Sequence, residues 1–435
     1  MSGASLRLNA CLLILAAAVL AIMGNWQQSF AGLWRLPAVL LLLGLAYESW
    51  IVSKSHVVVE LQAPENLYLG RAAAIRFTCW HALKRTLAIE IAPGAPDSFD
   101  IESSVESLQV KSGERTAIER RVVPKRLGQP EWPPLRTRSA GPFGLAWWPR
   151  QVACPAAVRV LPDLFRNAGE VKGVSAFGSQ ASIDAGAGAG AEVLRLRDYR
   201  AGDPPRVIDW KATVRADRLI SREFSQDDGL QIVIAIDAGR SSALRAGSLD
   251  RFGHYVNIAA RLAQYAAERE DLVGLVVYAD RPLAALPPAR GPNAVARLRT
   301  VLAASRIERT ESNPLYAAVR VRTLARHRSL IVILTDIDDA SAESQLAHAV
   351  RFLLPKHLPF VAGLSSAEAE SMARAPARTW LDPYRALAAQ EYCIGLERKA
   401  RALNALGAPA LVAKPEQLER AVFAAYANFR RRRRA

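Results

Sequence analysis

The chain is poor in the side chains from which most metal centres and hydrolytic sites are built. It has four cysteines, Cys11, Cys79, Cys154 and Cys393, far apart and without a CxxC pair, which gives no disulfide framework and no zinc site. Its six histidines are scattered, and no HExxH pair sets two ligands on one helix face. No GxxxxGK[ST] loop, GxSxG elbow or GxGxxG turn is present, so P-loop nucleotide hydrolysis, serine hydrolysis and dinucleotide binding lack their parts. Acidic residues are also in deficit. There are 41 against 57 basic ones, a net charge of +16, which leaves lipid headgroups, nucleic acid and acidic protein surfaces open as partners. With 51% apolar and 23% charged residues the composition is that of a globular protein, and 435 residues suffice for two or three domains.

What is abundant at the N-terminus is uncharged apolar sequence. Leu8 to Gly24 carries no charge, and a second apolar run extends from Leu36 to Val52 with Glu48 near its end. Each is at the short end of a bilayer span, and Trp26, Trp34, Tyr47 and Trp50 are residue types that collect at headgroup level. The pattern predicts a two-helix transmembrane hairpin. The competing reading is a signal peptide with Arg7 as its basic flank and Ser29-Phe30-Ala31 as a cleavage site. Cleavage there would leave the second run as an anchor and three unpaired cysteines in an oxidising compartment. Arg7 and Lys54 flank the hairpin and Arg35 lies in its connection, a weak bias that places both ends in the cytoplasm.

From Ser55 to Pro162 the periodicity is two-fold, at 57–61, 73–77, 86–91 and 157–161, and predicts a small β-sandwich in which Trp147 and Trp148 fill the core. Trp132-Pro133-Pro134 and Gly141-Pro142-Phe143-Gly144-Leu145 mark turns. A Gly/Ala-rich stretch, 166–191, reads as a linker or loop. Beyond Gly229, continuous apolar strands at 230–236, 272–278, 330–334, 360–364 and 410–412 alternate with helical patterns at 251–269, 293–304, 314–327, 341–354 and 383–405. Strands apolar on both faces predict a parallel, doubly wound α/β sheet, with ligands at the carboxyl ends of its strands.

Two aspartates fall at such ends, Asp237 after QIVIAI and Asp336 after LIVILT. With Ser241, Ser242 and Thr335 beside them they offer hard oxygen ligands to Mg²⁺ or Ca²⁺. The alternative is structural: Asp237 caps the following turn, Asp336 satisfies backbone amides, and Arg240 is the cation that compensates the pair. A phosphoaspartyl hydrolase would carry a carboxylate where Gly239 stands. Residues 193–224 hold eight basic and five acidic side chains, with Arg200, Arg206, Lys211, Arg215 and Arg222 alternating with Asp198, Asp203, Asp209, Asp217 and Glu223. That balance predicts ion pairs and a docking surface rather than a phosphate-binding stripe.

RDYRAGDPPRVIDWKATVRADRLISREF followed by an apolar strand and IDAGRSS, with GPFGL upstream and the N-terminal hairpin, resembles the bacterial membrane-anchored proteins of domain-of-unknown-function family 58 over essentially the whole chain. The resemblance implies a Rossmann-like von Willebrand factor A-type domain with an adhesion-type metal site, made of an Asp-x-Ser-x-Ser loop, a threonine and a further aspartate. Carried over by position, these are Asp237, Gly239 and Ser241, then Asn313 for the threonine, and Asp336. Gly239 and Asn313 each remove a hydroxyl, so the metal set that remains is a degenerate one: Asp237, Ser241, Asn313 and Asp336. The family's genomic habit implies a MoxR-type AAA+ ATPase as partner.

The expected organisation is a hairpin at 1–54, a small β domain at 55–165, the linker at 166–191 and the signature with its α/β domain at 192–435. The expected protein is a non-enzymatic inner-membrane protein with two spans and its bulk in the cytoplasm, using its von Willebrand A-like domain for protein recognition, with a divalent cation such as Mg²⁺ as the one candidate cofactor. The alternative, resting on +16 and on Arg430 to Arg434, is a basic protein that binds a membrane surface or nucleic acid. A metal-assisted phosphodiesterase ranks third, since no nucleophile or general base stands beside the two aspartates.

Overall fold

The computed structural model describes residues 5–26, 32–55, 57–92, 94–102, 105–165, 193–200, 208–224, 230–337 and 340–434. The stretch 166–191 and the residues of the cleavage-site reading, 29–31, lie outside them. The chain divides into two compact units, Met1–Leu161 and Pro162–Ala435.

The first unit opens with a two-residue strand, β1 (Ser5–Leu6), followed by α1 (Leu8–Trp26) and α2 (Arg35–Lys54). By length and composition α2 can cross a membrane, while the apolar part of α1, Leu8–Met23, is shorter. Ten strands follow: β2 (Val58–Gln62), β3 (Asn66–Tyr68), β4 (Ala73–Trp80), β5 (Leu87–Ala92), β6 (Phe99–Ile101), β7 (Glu106–Val110), β8 (Thr116–Pro124), β9 (Leu135–Ala140), β10 (Ala146–Val152) and β11 (Arg159–Leu161). They form an antiparallel four-stranded sheet, β2-β4-β8-β6, and a five-stranded one, β1-β10-β9-β5-β7. Alternate residues of β5 and β8 are buried, Leu87, Ile89 and Ile91 from the one and Ile118, Arg120 and Val122 from the other. The core tryptophan is Trp132, whose ring meets Phe77 and Phe99. Trp147 and Trp148 are only half-buried, because they lie on the β10 strand that β1 covers at the sheet edge.

The hairpin belongs to this unit and is fastened to it. Ser5 and Leu6 pair with Trp147 and Ala146 of β10. Glu48 of α2 is fully buried, and its carboxylate accepts from the backbone N–H groups of Phe143 (2.9 Å), Leu145 (3.1 Å) and Ala146 (3.2 Å). The GPFGL turn is therefore a carboxylate receptor. A Cβ at Gly141 would overlap the Glu48 side chain, and Gly144 sits at φ +63°, where side chains are strained. Arg150 donates to the carbonyls of Val52, Ser53 and Ser55, the last acceptors of α2. No clean boundary therefore exists at residue 54.

The second unit begins where 162–165 lie on it. Asp163 pairs with Arg261, and the Phe165 N–H donates to Gln264 at 3.0 Å, which moves the boundary from 165 to 161. The signature segment forms an antiparallel pair, β12 (Val193–Asp198) with β13 (Ile220–Phe224), around α3 (Trp210–Ala216). Asp209 caps α3 by accepting from Ala212 N–H, and Asp198 pairs with Arg218 at 3.2 Å. Asp203 and Arg206 lie outside the described residues.

The rest alternates: β14 (Gln231–Asp237), a 3-10 turn at Arg240–Ala243, short β15 (Arg245–Ala246) and β16 (Leu249–Asp250), α4 (Arg251–Ala267), β17 (Leu272–Tyr278), β18 (Pro282–Ala289), α5 (Gly291–Ala304), α6 (Pro314–Leu324), β19 (Leu330–Leu334), α7 (Ala340–Leu353), β20 (Leu358–Leu364), α8 (Ala367–Arg374), α9 (Asp382–Ala405), β21 (Ala410–Ala413) and α10 (Pro415–Arg434). The six-stranded sheet runs β18-β17-β14-β19-β20-β21, parallel except for β18. Val233, Ala235, Ile331 and Ile333 pack under α6 and α7, while α4 and α10 also lie against the sheet, so β14 is buried along its whole length.

Arg430 is part of this fold rather than of a free basic tail. Its guanidinium pairs with the fully buried Asp271 at 2.6 Å, and Tyr426 donates to the same carboxylate.

Candidate functional site

The strand order reverses at β14, which pairs in parallel with β17 on one side and β19 on the other. The crevice at the carboxyl ends of β14 and β19 is the place where open α/β sheets bind ligands. Asp237 ends β14, and Thr335 and Asp336 follow β19.

Asp237 is 1% exposed. One carboxylate oxygen accepts from Gly239 N–H at 2.8 Å and from the Ser312 hydroxyl, and the other accepts from Thr335 Oγ1 at 2.7 Å. Ser242 Oγ donates to the Asp237 carbonyl at 2.8 Å. A segment between α5 and α6 is laced over these strand ends by main-chain bonds, Glu308 N–H to Ala238, Arg240 N–H to Thr310 and Asn313 N–H to Ala279. Burial pushes the Asp237 carboxyl up to about 6, with the charge of Asp336 adding to it, while the hydrogen bonds from Ser312, Gly239 and Thr335 pull the other way.

Asp336 faces a different partner. Arg251, the first residue of α4, donates to its carboxylate, and both side chains are buried. Arg251 also reaches Tyr392 Oη at 3.4 Å. Arg240, the compensating cation expected from the sequence, lies outside this pair and bonds Glu311 at 3.1 Å at the surface.

The proposed ligand set thus comes together only in part. Asp237 and Asp336 are at one crevice. Asn313 is not: its side chain is directed at Tyr316 N–H as the cap of α6, with Pro314 at the first helical position. Its neighbour Ser312 is the hydroxyl that reaches Asp237. Ser241 lies in the 3-10 turn, its Oγ buried and without a hydrogen-bond partner. A Cβ at Gly239 would collide with Ser312 Oγ, so no side chain fits there beside it.

These residues do not fit a divalent cation. The positive charge a metal would supply comes from Arg251, which occupies the Asp336 carboxylate, and Asp237 is 1% exposed with both its oxygens already accepting hydrogen bonds, one of them from the Gly239 N–H, which cannot ligate a metal. No group of three or more His, Cys, Asp or Glu side chains with metal-holding geometry occurs among the described residues.

Buried Asp237 makes the unit's stability depend on pH. Its carboxyl titrates near 4 unfolded and near 6 folded, so the unfolded chain loses its proton first as pH rises, and the associated stability is lost between pH 4 and 6. His357, held by burial down at about 4, acts in the opposite direction, its contribution falling as pH drops below 6.5. Comparison with Asp237→Asn isolates the aspartate. The variant is expected to be about 2–3 kcal/mol more stable than the wild type above pH 6.5 and equal to it below pH 4, in urea melts across that range. A difference independent of pH would contradict the buried ionisation.

Residues 195–362 match the family model described as protein of unknown function DUF58. This segment is a DUF58 domain. The match begins in β12 and ends in β20, so it takes in the crevice but not the hairpin, the β-sandwich or the last helices, and it is narrower than the whole-chain resemblance expected from the motifs. The comparison with curated proteins found no match. Among solved structures, the chain is similar to the CARDB domain of a Pyrococcus furiosus protein (8% identity, 23% of this chain and 94% of that one, TM-score 0.14). It is similar also to the PKD domain of an M14-like peptidase from a Thermoplasmatales archaeon (14% identity, 23% and 94%, TM-score 0.15). A β-glucosidase from Listeria innocua matches at 12% identity over 24% of this chain and 17% of the enzyme, TM-score 0.12. Likenesses this low carry no argument about the DUF58 domain or its activity.

Proposed function

We propose that the chain is a membrane-anchored, non-enzymatic recognition protein. The N-terminal hairpin holds it as a two-span protein of the bacterial inner membrane with its bulk in the cytoplasm. Its C-terminal α/β unit, of von Willebrand A-like type, binds another protein, a MoxR-type AAA+ ATPase acting in the assembly or maturation of a further complex.

The observation that carries this reading is α9. The helix has two apolar stripes on opposite sides. Ala389, Leu396, Ala400 and Leu403 are buried against the unit, while Tyr384, Leu387 and Ile394, continued by Trp380 just before the helix, are exposed. Exposed apolar residues at three- and four-residue spacing, led by Trp and Tyr, form the kind of surface that anchors a protein partner. The strand-end crevice supports the same conclusion, since its carboxylates are bonded to Ser312, Thr335, Gly239 and Arg251 and none is poised as a nucleophile or base.

The test is co-purification of the full chain from native membranes, with bound proteins identified by mass spectrometry. The triple variant Trp380→Ser, Tyr384→Ser, Leu387→Ser is expected to lose at least about tenfold of the captured ATPase with its melting temperature unchanged. Capture of no ATPase by the wild type, or undiminished capture by the variant, would sink the reading. Against the nucleic-acid alternative stands Arg430, which the fold itself uses.

A further inference from the structure

Within the first unit a cleft of about 770 Å³ lies between α1, α2 and the GPFGL turn. Its walls are apolar: Leu12 and Leu13 from α1, Leu40 and Leu43 from α2, Phe143 and Leu145 from the turn. Leu12, Leu40 and Leu43 are exposed although they lie in the middle turns of apolar helices, as hydrocarbon-facing residues are.

The end of the cleft beside the β domain is polar. Asn9 donates its amide to the Phe143 carbonyl at 2.9 Å. A Cβ on Gly144 would lie 3.3 Å from both Asn9 Nδ2 and Arg7 Nη1, which puts the Arg7 guanidinium at the same rim. Arg7 lies over the Trp147 ring, 4.5 Å from its centroid, and has no carboxylate partner among the described residues. Arg138, on the same ring at 5.0 Å, is already paired with Glu90. Tyr47 and Phe143, in ring contact at 5.7 Å, stand at this level, as interfacial aromatics do.

We propose that this cleft binds an anionic phospholipid, with one acyl chain between α1 and α2 and the phosphate on Arg7. Charge decides the occupant. A second copy of the hairpin would bring another Arg7 and Lys54 to this level, and the one hairpin carboxylate, Glu48, is enclosed by its own turn. A lipid with net negative charge supplies both the hydrocarbon and the missing anion.

The inference rests on the hairpin lying in the bilayer, which alkaline extraction of membranes tests separately. Release of the chain by alkali would overturn anchor and site together. For the retained chain, the experiment is native mass spectrometry of full-length protein from nanodiscs of equal phosphatidylglycerol and phosphatidylcholine. The wild type is expected to keep phosphatidylglycerol over phosphatidylcholine by about fivefold, the worth of one interfacial cation. Arg7→Gln should equalise the two lipids and Arg7→Lys should keep the preference, while Leu43→Trp, which fills the cleft, should reduce retention of both. Equal retention by the wild type, a preference surviving in Arg7→Gln, retention undiminished in Leu43→Trp, or a lipid-free dimer would overturn the site and leave the anchor standing.

Discussion

Replacing Arg251 by methionine is expected to destabilise the C-terminal unit by about 3–5 kcal/mol, the cost of leaving a buried charge without its partner. Arg251 is 2% and Asp336 5% exposed, so water cannot replace the guanidinium. The variant would leave the Asp336 carboxylate without its cation at the crevice that also holds Asp237. Mg²⁺ should then raise the melting temperature of Arg251→Met while leaving the wild type unmoved, because the ion could enter only where the guanidinium has gone. Adding Asp336→Leu to Arg251→Met should recover most of the loss and abolish the Mg²⁺ response. Differential scanning fluorimetry with and without Mg²⁺ reads all four cases. An Mg²⁺ response in the wild type would show that the arginine does not exclude the metal.

Glu48→Ala should have an effect of similar size in the other unit. It strips the acceptor from three N–H groups at once, and the two that are buried, those of Leu145 and Ala146, each cost about 1–3 kcal/mol when unsatisfied. The amides of Phe143, Leu145 and Ala146 are expected to lose at least about a hundredfold of their protection from hydrogen exchange, and Glu48→Gln, which keeps an acceptor but loses the charge, should lie between. Unchanged protection in Glu48→Ala would mean that the turn is held without the helix. A truncation at Ser55 removes the same carboxylate together with β1, so it should lose protection at the same amides.

Particular elements show what was legible in the sequence. The runs at 272–278 and 330–334 coincide with β17 and β19, because strands covered on both faces leave no polar residue to blur them. β18 was missed since Pro282, Pro287 and Pro288 argue against a strand, yet it is an edge strand, where a missing N–H is tolerated. β8 was hidden because Arg120, a charged side chain on the buried face between Ile118 and Val122, makes an unbroken polar run with Glu119 and Arg121 and so conceals the two-residue alternation. At the crevice, Asp237 and Asp336 could be placed from strand ends alone. Ser312 could have been found by a local rule, since Asn313 before Pro314 is a capping pair and leaves its neighbour free to point elsewhere. Arg251 carried a signal too: a cation at the first position of a helix opposes the helix dipole unless a carboxylate holds it there. Glu48 had none, for its partners are backbone groups about a hundred residues away.

The contact between Gly239 and Ser312 makes those two positions a single locus for sequence change. The pocket over Asp237 has room for one hydroxyl, and the chain delivers it from the loop after α5 rather than from the loop after β14. A serine introduced at 239 alone meets an occupied volume, and a glycine introduced at 312 alone leaves the carboxylate short of a donor. Either step is expected to be damaging by itself, whereas the exchange of both removes the overlap with Ser312 Oγ and keeps one hydroxyl, leaving the Thr310 carbonyl, 3.1 Å from a Cβ at 239, to give way slightly. The two loops can therefore trade the hydroxyl only in one coupled move, so that the sign of the effect of a serine at 239 depends on which residue stands at 312.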